Sequence, residues 1–572
     1  MSAQHWVRSS EPGDSSSSID PYSQLFRADS RLRAEDVARY VEAGDWSGRS
    51  LAAYLHDAAA RDPDATAAVS YSTHDESRAT LTYGELASLS ARLGGGLSTL
   101  GVGRGDCVSV MLPNRLEFGA LIFAILGLDA VYSGIPATYG LREVKFMVNR
   151  SNSKVLVVQE TFRNRDYIDL ANELRSEFPQ LQVVVLGNRP GGAGWHSLAE
   201  LAGSRPSAPG SSAGRCLAHI GFTSGTTSEP KGVMNTHDAL DALLRRWVSH
   251  VGRDSLGTPL RNLIASPVGH HTGFLWGVLL SAHLGGCGVY LDHWNPTFAA
   301  QVIAEEKISM LLAAPTFLQD LLQLPAFDAS SLGFVGLAGA PIPRSLPGAA
   351  RERLGCFVCP AWGMTEIGIG ISGSPLLPIA RVEATDGHPV PGTEVRVMAS
   401  EDHEAEPEVE GELQVKGAGL FIGYYDRADF TGAAFSDGWF RTGDRAVIHR
   451  DGFVSLTGRS KDIVIRGGEN IPVVEIESLI YRHPAVLDVA VVGYPDERLG
   501  ERACAVLVLQ PSAPAPNLEE LTAFLLSMGL SKHFLPERVE IVERLPKTSS
   551  GKIRKVKLRS WLAEGGGALG EG

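Results

Sequence analysis

From about residue 34 to residue 201 the hydrophobic positions change period repeatedly, from helical spacing to short β-branched runs and back. The spacing predicts helices over residues 83–100 and 117–127, and strands over 107–111 and 155–158. Helices alternating with short apolar strands imply α/β layering, because a parallel pair of strands needs a crossover long enough to hold a helix. Residues 202–215, rich in Ser, Pro and Gly, read as an irregular surface loop, and 217–222 as the strand that follows it. The alternation continues to about residue 358. Residues 390–415 then become strand-rich, with an acidic stretch at 401–410 that reads as a solvated hairpin tip. A compact α/β unit follows residue 458, with its clearest strands at 489–492 and 503–509. The longest apolar region, residues 118–137, is interrupted by Asp129 and by glycines. It reads as a buried helix running into a strand, since a membrane span needs about 20 apolar residues. Residues 1–25 and 565–572, Ser-rich and Gly-rich, read as disordered tails.

A chain of 572 residues exceeds one ordinary core, so two or more domains are expected. Its net charge of −13 argues against a nucleic-acid binder, which carries a basic face, but not against small anionic ligands. Six cysteines make no disulfide framework in a chain this long. Cys356 and Cys359 form a single C-x-x-C and read as packed residues of a buried strand, with a redox pair as the alternative. No apolar leader precedes the first element, so a cytoplasmic enzyme is the expectation.

Residues 222–233 carry the densest chemistry: Thr223, Ser224, Gly225, Thr226 and Thr227, then Lys231. Glycine lets the backbone turn with its N–H groups exposed, the hydroxyls add donors, and lysine adds a compact positive charge. That set suits a polyphosphate. It lacks the Gly-Lys-Ser/Thr ending of a Walker loop, and alone it could be a surface turn. Further along come His270 and His271 between Pro267 and Gly273; Gly339-Ala340-Pro341; and Trp362-Gly363-Met364-Thr365-Glu366. Asp444 closes an Arg-Thr-Gly-Asp turn, residues 458–471 hold Arg459, Lys461, Gly467 and Gly468, and Lys552 lies in a Pro-x-x-x-x-Gly-Lys run. Each has a plainer reading. The histidines could be core residues, Thr365 could cap a helix, and the last run could be a solvated basic tail.

In this order, over roughly residues 45–560, the runs resemble the motifs of the adenylate-forming superfamily, which includes acyl-CoA synthetases, non-ribosomal adenylation domains and luciferases. The resemblance implies a large multi-subdomain α/β N-terminal domain over residues 26–460, with parallel sheets and a distorted β-barrel, and a small mobile α+β C-terminal domain over 461–564. It implies ATP, Mg²⁺ and coenzyme A as cofactors and co-substrates. The 223–227 loop with Lys231 would hold the polyphosphate, and Gly339, Ala340, Pro341, Trp362 and Gly363 would line the nucleotide site. Thr365 would meet the α-phosphate, Glu366 would hold the metal, and Asp444 would accept from the ribose hydroxyls. Arg459 aligns with an arginine that reaches the nucleotide, Lys461 with the hinge pivot, and Gly467 and Gly468 with the pantetheine tunnel. Lys552 matches the lysine that contacts the carboxylate and the bridging oxygen, and His270 the histidine that approaches the acyl group. Three positions depart from the pattern: Ser228 stands where glycine is usual, Trp362 replaces tyrosine, and Pro472 comes one place early.

The chemistry that the resemblance implies runs in two halves. A carboxylate is a poor acyl donor until its oxygen is joined to AMP, after which a thiol can displace AMP. Candidate acyl-pocket residues are His271, Phe274, Trp276, Phe317, the segment 336–341 and Gly368, all apolar or neutral. They favour a hydrophobic acid, and the run around His270 looks most like cyclohexanecarboxylate-type CoA ligases, suggesting an alicyclic, polycyclic or medium-chain acid. An amino-acid adenylation domain is disfavoured because residues 269–280 hold no carboxylate. Loading of an acyl carrier protein is the runner-up, a luciferase-like oxygenase has no positive signal, and a homodimer is left open.

Overall fold

The computed structural model describes residues 25–207, 214–223, 230–459, 464–466, 469–496, 499–548 and 551–566. The expected tails fall almost wholly outside this range. Leu25 is an exception, being buried with Trp46 and Met234.

Two large sheets organise the first 390 or so residues. Among the described residues, one has eight strands, and its centre runs Leu217–Thr223, Val131–Gly134, Cys107–Met111, Ser153–Gln159 and Gln182–Leu186, all parallel. The other has nine strands, with Phe357–Met364, Phe334–Leu337, Met310–Ala313, Arg261–Ile264 and Cys287–Leu291 as its parallel centre. These strands bury both faces, which is why their sequences are continuous apolar runs rather than alternations. Successive residues part company across the sheet. Val108 and Val110 join a core shared with the nine-stranded sheet, whereas Cys107 and Met111 join a second core under Leu141–Arg150 and Ile168–Glu177.

The shared core holds Tyr132 and Val155 from one sheet, and Ile264, Met310 and Phe334 from the other. Helix Leu116–Gly127 contributes nearly every side chain to it. An all-apolar helix surface is what such a position requires. Trp247 of helix His237–Val251 and Phe274 of the π-helix Thr272–Leu279 complete it. A third core lies on the outer face of the nine-stranded sheet, beneath Pro296–Glu305, Pro315–Gln323 and Leu346–Leu354.

The strand-rich stretch is a six-stranded sheet that includes Thr393–Ser400, Gly411–Gly417, Trp439–Ile448 and Val454–Arg459, joined antiparallel. The acidic stretch after residue 400 carries the short strand His403–Glu404, which pairs back on Thr393–Ser400 as the predicted hairpin. The C-terminal unit is a five-stranded sheet with Val486–Asp496 against Gly500–Leu509 at its heart. Val491 and Leu507 face Val473–Ile480 and Leu518–Ser527, and Val492 and Val506 face Lys555–Ala563. Cys356 and Cys359 are buried free thiols, Cys359 within strand Phe357–Met364. Burial pushes them up to about 11 and about 12, as for packed residues rather than a redox pair. No helix among the described residues is long and apolar enough to cross a membrane.

Helix Tyr83–Thr99 opens with a full capping box: Thr82 Oγ1 accepts from Glu85 N at 3.2 Å and Glu85 Oε2 accepts from Thr82 N at 2.8 Å. Thr82→Ala is expected to destabilise the protein by about 1 kcal/mol, read as a lower urea midpoint at unchanged m-value.

Candidate active site

Strand Leu217–Thr223 leaves the sheet, and the chain returns antiparallel along Lys231–Thr236, making Thr223 and Lys231 cross-strand partners at the open end. Ser224, Gly225, Thr226 and Thr227 lie outside the described residues. Lys231 Nζ lies 4.7 Å from the ring centroids of both Tyr424 and Phe430. Tyr424 in turn donates its hydroxyl to Glu366 Oε1 at 3.0 Å. Burial and the adjacent carboxylate push the phenol far above its ordinary range, so it remains a donor. Cation, phenol and buried carboxylate thus form one cluster. Tyr424 escaped the sequence reading because it belongs to no recognised run; only its pairing beside strand Lys231–Thr236 brings it here.

Thr365 and Glu366 sit in the turn between Phe357–Met364 and the antiparallel strand Gly368–Ser372. The turn leads into a strand, so Thr365 does not cap a helix. Gly363 is forced there, because a Cβ would collide with the Gly368 carbonyl. Trp362, on the same strand, donates Nε1–H to Asp444 Oδ2 at 2.8 Å. Asp444 is buried, and its own N–H is held by Thr442 Oγ1 at 3.0 Å. Arg459 lies opposite Asp444 in the neighbouring strand, although its side chain is outside the described set. The bond from Trp362 to Asp444 was not anticipated; tryptophan at this position supplies a fixed N–H donor in place of a phenol.

Lys552 arrives from the C-terminal unit. Its loop is closed by Thr548 N to Lys552 O at 2.7 Å and Lys552 N to Thr548 Oγ1 at 3.1 Å. Gly551, at φ +83°, lets the loop press on the start of helix Pro315–Gln323, where an added Cβ would lie 2.9 Å from Thr316 Oγ1. The lysine stem then reaches Gly339, at which a Cβ would sit 3.3 Å from Lys552 Cε. Ala340 and Pro341 continue that segment. Burial, reinforced by the Lys552 ammonium, lowers His270 to about 4. Its ring meets Tyr139 edge-on at 6.3 Å.

The proposed acyl-pocket residues divide. His271 and Phe274 stay together, around His219: the His219 ring lies 5.5 Å from His271 and 4.6 Å from Phe274. Burial, then His270, lowers His271 to about 4. Trp276 instead packs on Trp247 at 5.1 Å inside the shared core. Phe317 packs on Trp294 at 4.5 Å in the outer core, beneath the Lys552 loop. Gly368, at φ +62°, is required by its turn, and a Cβ would approach Leu243 Cδ1 to 2.7 Å. Lys461, Gly467 and Gly468 lie outside the described residues. Among the described residues no group of three or more His, Cys, Asp or Glu could hold a metal by itself.

The two-sheet α/β body is thus met by a small C-terminal unit whose Lys552 reaches Gly339. Comparison with known proteins identifies the family: residues 55–425 match the AMP-binding enzyme family and residues 475–552 match the AMP-binding enzyme C-terminal domain, so the chain belongs to this family. It is an ATP-dependent adenylate-forming ligase. The chain is 32% identical to the medium-chain fatty-acid–CoA ligase of Escherichia coli K12, over 91% of this chain and 92% of that one. It is 30% identical to the 2,3-dihydroxybenzoate-AMP ligase of Bacillus subtilis 168, over 92% and 96%. Its fold superposes on ATP-bound MatB from Rhodopseudomonas palustris with a TM-score of 0.80 at 27% identity, over 90% and 99% of the chains.

The buried histidines give a pH test. His237, His270, His271 and His283 fall from 6.5 to about 4 in the folded protein, chiefly through burial. Between those values the unfolded chain binds more protons than the folded one, so stability rises with pH across this window and is lost on acidification. The melting temperature is expected to fall from pH 6.5 towards 4, and less steeply in His271→Phe; an identical slope in the variant would contradict the assignment.

Proposed function

We propose that the protein is an acyl-CoA ligase. It joins a hydrophobic acid of alicyclic, polycyclic or medium-chain type to AMP, then transfers the acyl group to coenzyme A. The observation that best supports this is the convergence of Lys552 on Gly339 and His270, a contact between two units with separate cores. In the first half-reaction a carboxylate oxygen attacks the α-phosphorus of ATP and the bond to pyrophosphate breaks. Lys552 meets the charge on the bridging oxygen, Lys231 and the 223–227 loop hold the departing phosphates, and Thr365 holds the α-phosphate. Asp444 accepts from the ribose hydroxyls while Trp362 covers the base. Positioning and charge neutralisation lower the barrier.

Magnesium fits this donor set: Glu366 is a buried oxygen ligand, and one carboxylate beside phosphates is what the ion commonly uses. Bound there it would neutralise phosphate charge. In the second half-reaction the thiol of coenzyme A attacks the acyl carbon, AMP leaves, and the thiol proton passes to solvent. Gly468 would leave the pantetheine arm its path. The similarity to a 2,3-dihydroxybenzoate-AMP ligase, a name that includes no coenzyme A, keeps a second acceptor in view, for which we consider a carrier-protein thiol. Turnover with free coenzyme A distinguishes the two.

Lys552→Ala is expected to abolish pyrophosphate release from ATP and acid yet leave thioester formation from supplied acyl adenylate and coenzyme A. Single-turnover assays of each half measure this, and equal loss of both would exclude Lys552 from a role confined to adenylation. Trp362→Phe keeps an aromatic face and removes the donor to Asp444. A hydrogen bond to a charged group is worth about 1.5–3 kcal/mol, so the KM for ATP should rise about tenfold or more while the KM for the acid changes little.

A further inference from the structure

Of the buried side chains whose polar atoms have no hydrogen-bond partner among the described residues, three lie together in the body of the protein. They are His219 at Nδ1, His271 at both ring nitrogens, and Asn235 at both amide atoms. Their exposures are 2%, 9% and 0%, so bulk water does not serve them. They are also neighbours. His219 stands directly opposite Asn235 in the antiparallel register and beside Tyr132 in the parallel one, so all three side chains leave the same face of the sheet. His271 faces His219 from the start of the π-helix at 5.5 Å between ring centroids, and Tyr132 stacks on His219, also at 5.5 Å. The Tyr132 hydroxyl is already committed, donating to the Val268 carbonyl at 3.0 Å.

This wall adjoins the reacting groups. Gly221, two residues beyond His219, lies under Thr365, whose Cγ2 would be 2.7 Å from a Cβ there, and His271 is bonded in the chain to His270, beside Lys552. An acid whose carboxylate reaches Lys552 would have His271, next to His270, as a neighbour, and His219 and Asn235 behind it. Hydrocarbon alone would leave every one of those atoms unpaired, at a cost that leucine or phenylalanine in their places would avoid.

We infer that the acid carries a neutral hydroxyl group on its ring or chain, and that His271, His219 and Asn235 recognise it; this rests on the acid-activating function proposed above. A neutral imidazole presents one donor and one acceptor, an amide presents both, and a hydroxyl answers both. A second carboxylate fits poorly. The wall holds no cation, and burial lowers the histidines, so they stay uncharged at neutral pH.

The test uses the full-length enzyme, ATP, Mg²⁺ and matched acids: benzoate with its ring-hydroxylated forms, cyclohexanecarboxylate with hydroxycyclohexanecarboxylates, octanoate with hydroxyoctanoates, and succinate as the doubly charged control. Pyrophosphate release gives kcat/KM for each. In at least one pair the hydroxylated acid should exceed its parent by about tenfold or more, the discrimination expected of a site built to pair with a hydroxyl. Succinate should be a poor substrate. His271→Phe and His219→Phe should cancel or invert the preference and raise the melting temperature at pH 8, because each removes unpaired buried nitrogens. Asn235→Leu keeps the test available should a histidine variant fail to fold. Preference for the parent acid in every pair, or a hydroxyl preference that survives all three variants, would overturn the inference while leaving acid activation intact. Failure of every acid to elicit pyrophosphate release, although ATP binds, would instead overturn the acid-activating function and the hydroxyl assignment with it.

Discussion

Burial of both faces of two sheets against one shared core is the constraint on which the rest depends. With Val108, Val110, Ile264 and Met310 packed inward and further apolar layers outside, the strand interiors are filled chiefly by apolar side chains. The charged candidate residues therefore gather where strands end or reverse, Lys231 at the return from Thr223 and Glu366 in the turn before Gly368–Ser372, with Gly339 just past strand Phe334–Leu337. This is the general rule for open parallel sheets, whose ligands bind beyond the carboxyl ends of the strands. His219 and Asn235 break that rule, lying buried within the strands Leu217–Thr223 and Lys231–Thr236.

Within the cleft the charged groups are held by neutral donors rather than by ion pairs alone. Tyr424 orients Glu366, and Trp362 orients Asp444. A neutral N–H or O–H fixes a carboxylate's direction without cancelling its charge, leaving it able to bind a cation or a diol. The tryptophan that departs from the usual tyrosine thus joins two motifs that lie 82 residues apart.

The C-terminal unit has its own two-faced core, and its Lys552 loop reaches the body at Thr316 and Gly339. Gly551 against Thr316, and Lys552 against Gly339, are both close approaches with no room for a further side chain.

Local signals decided much. Continuous apolar runs marked the parallel strands, and the apolar stretch from residue 118 marked the buried helix. The ordered motifs named Lys231, Trp362, Glu366, Asp444 and Lys552 as a set. What the sequence could not contain were partnerships across long separations. Trp276 and Phe317 read alike as apolar pocket residues, yet the nine-stranded sheet puts them in different cores. Tyr424 and His219 belong to no motif, and only strand register sets one beside Glu366 and the other beside Asn235 and His271. Periodicity is a property of neighbours in the chain, whereas register and sheet order are set by which buried faces pack together, and that choice is made only in three dimensions.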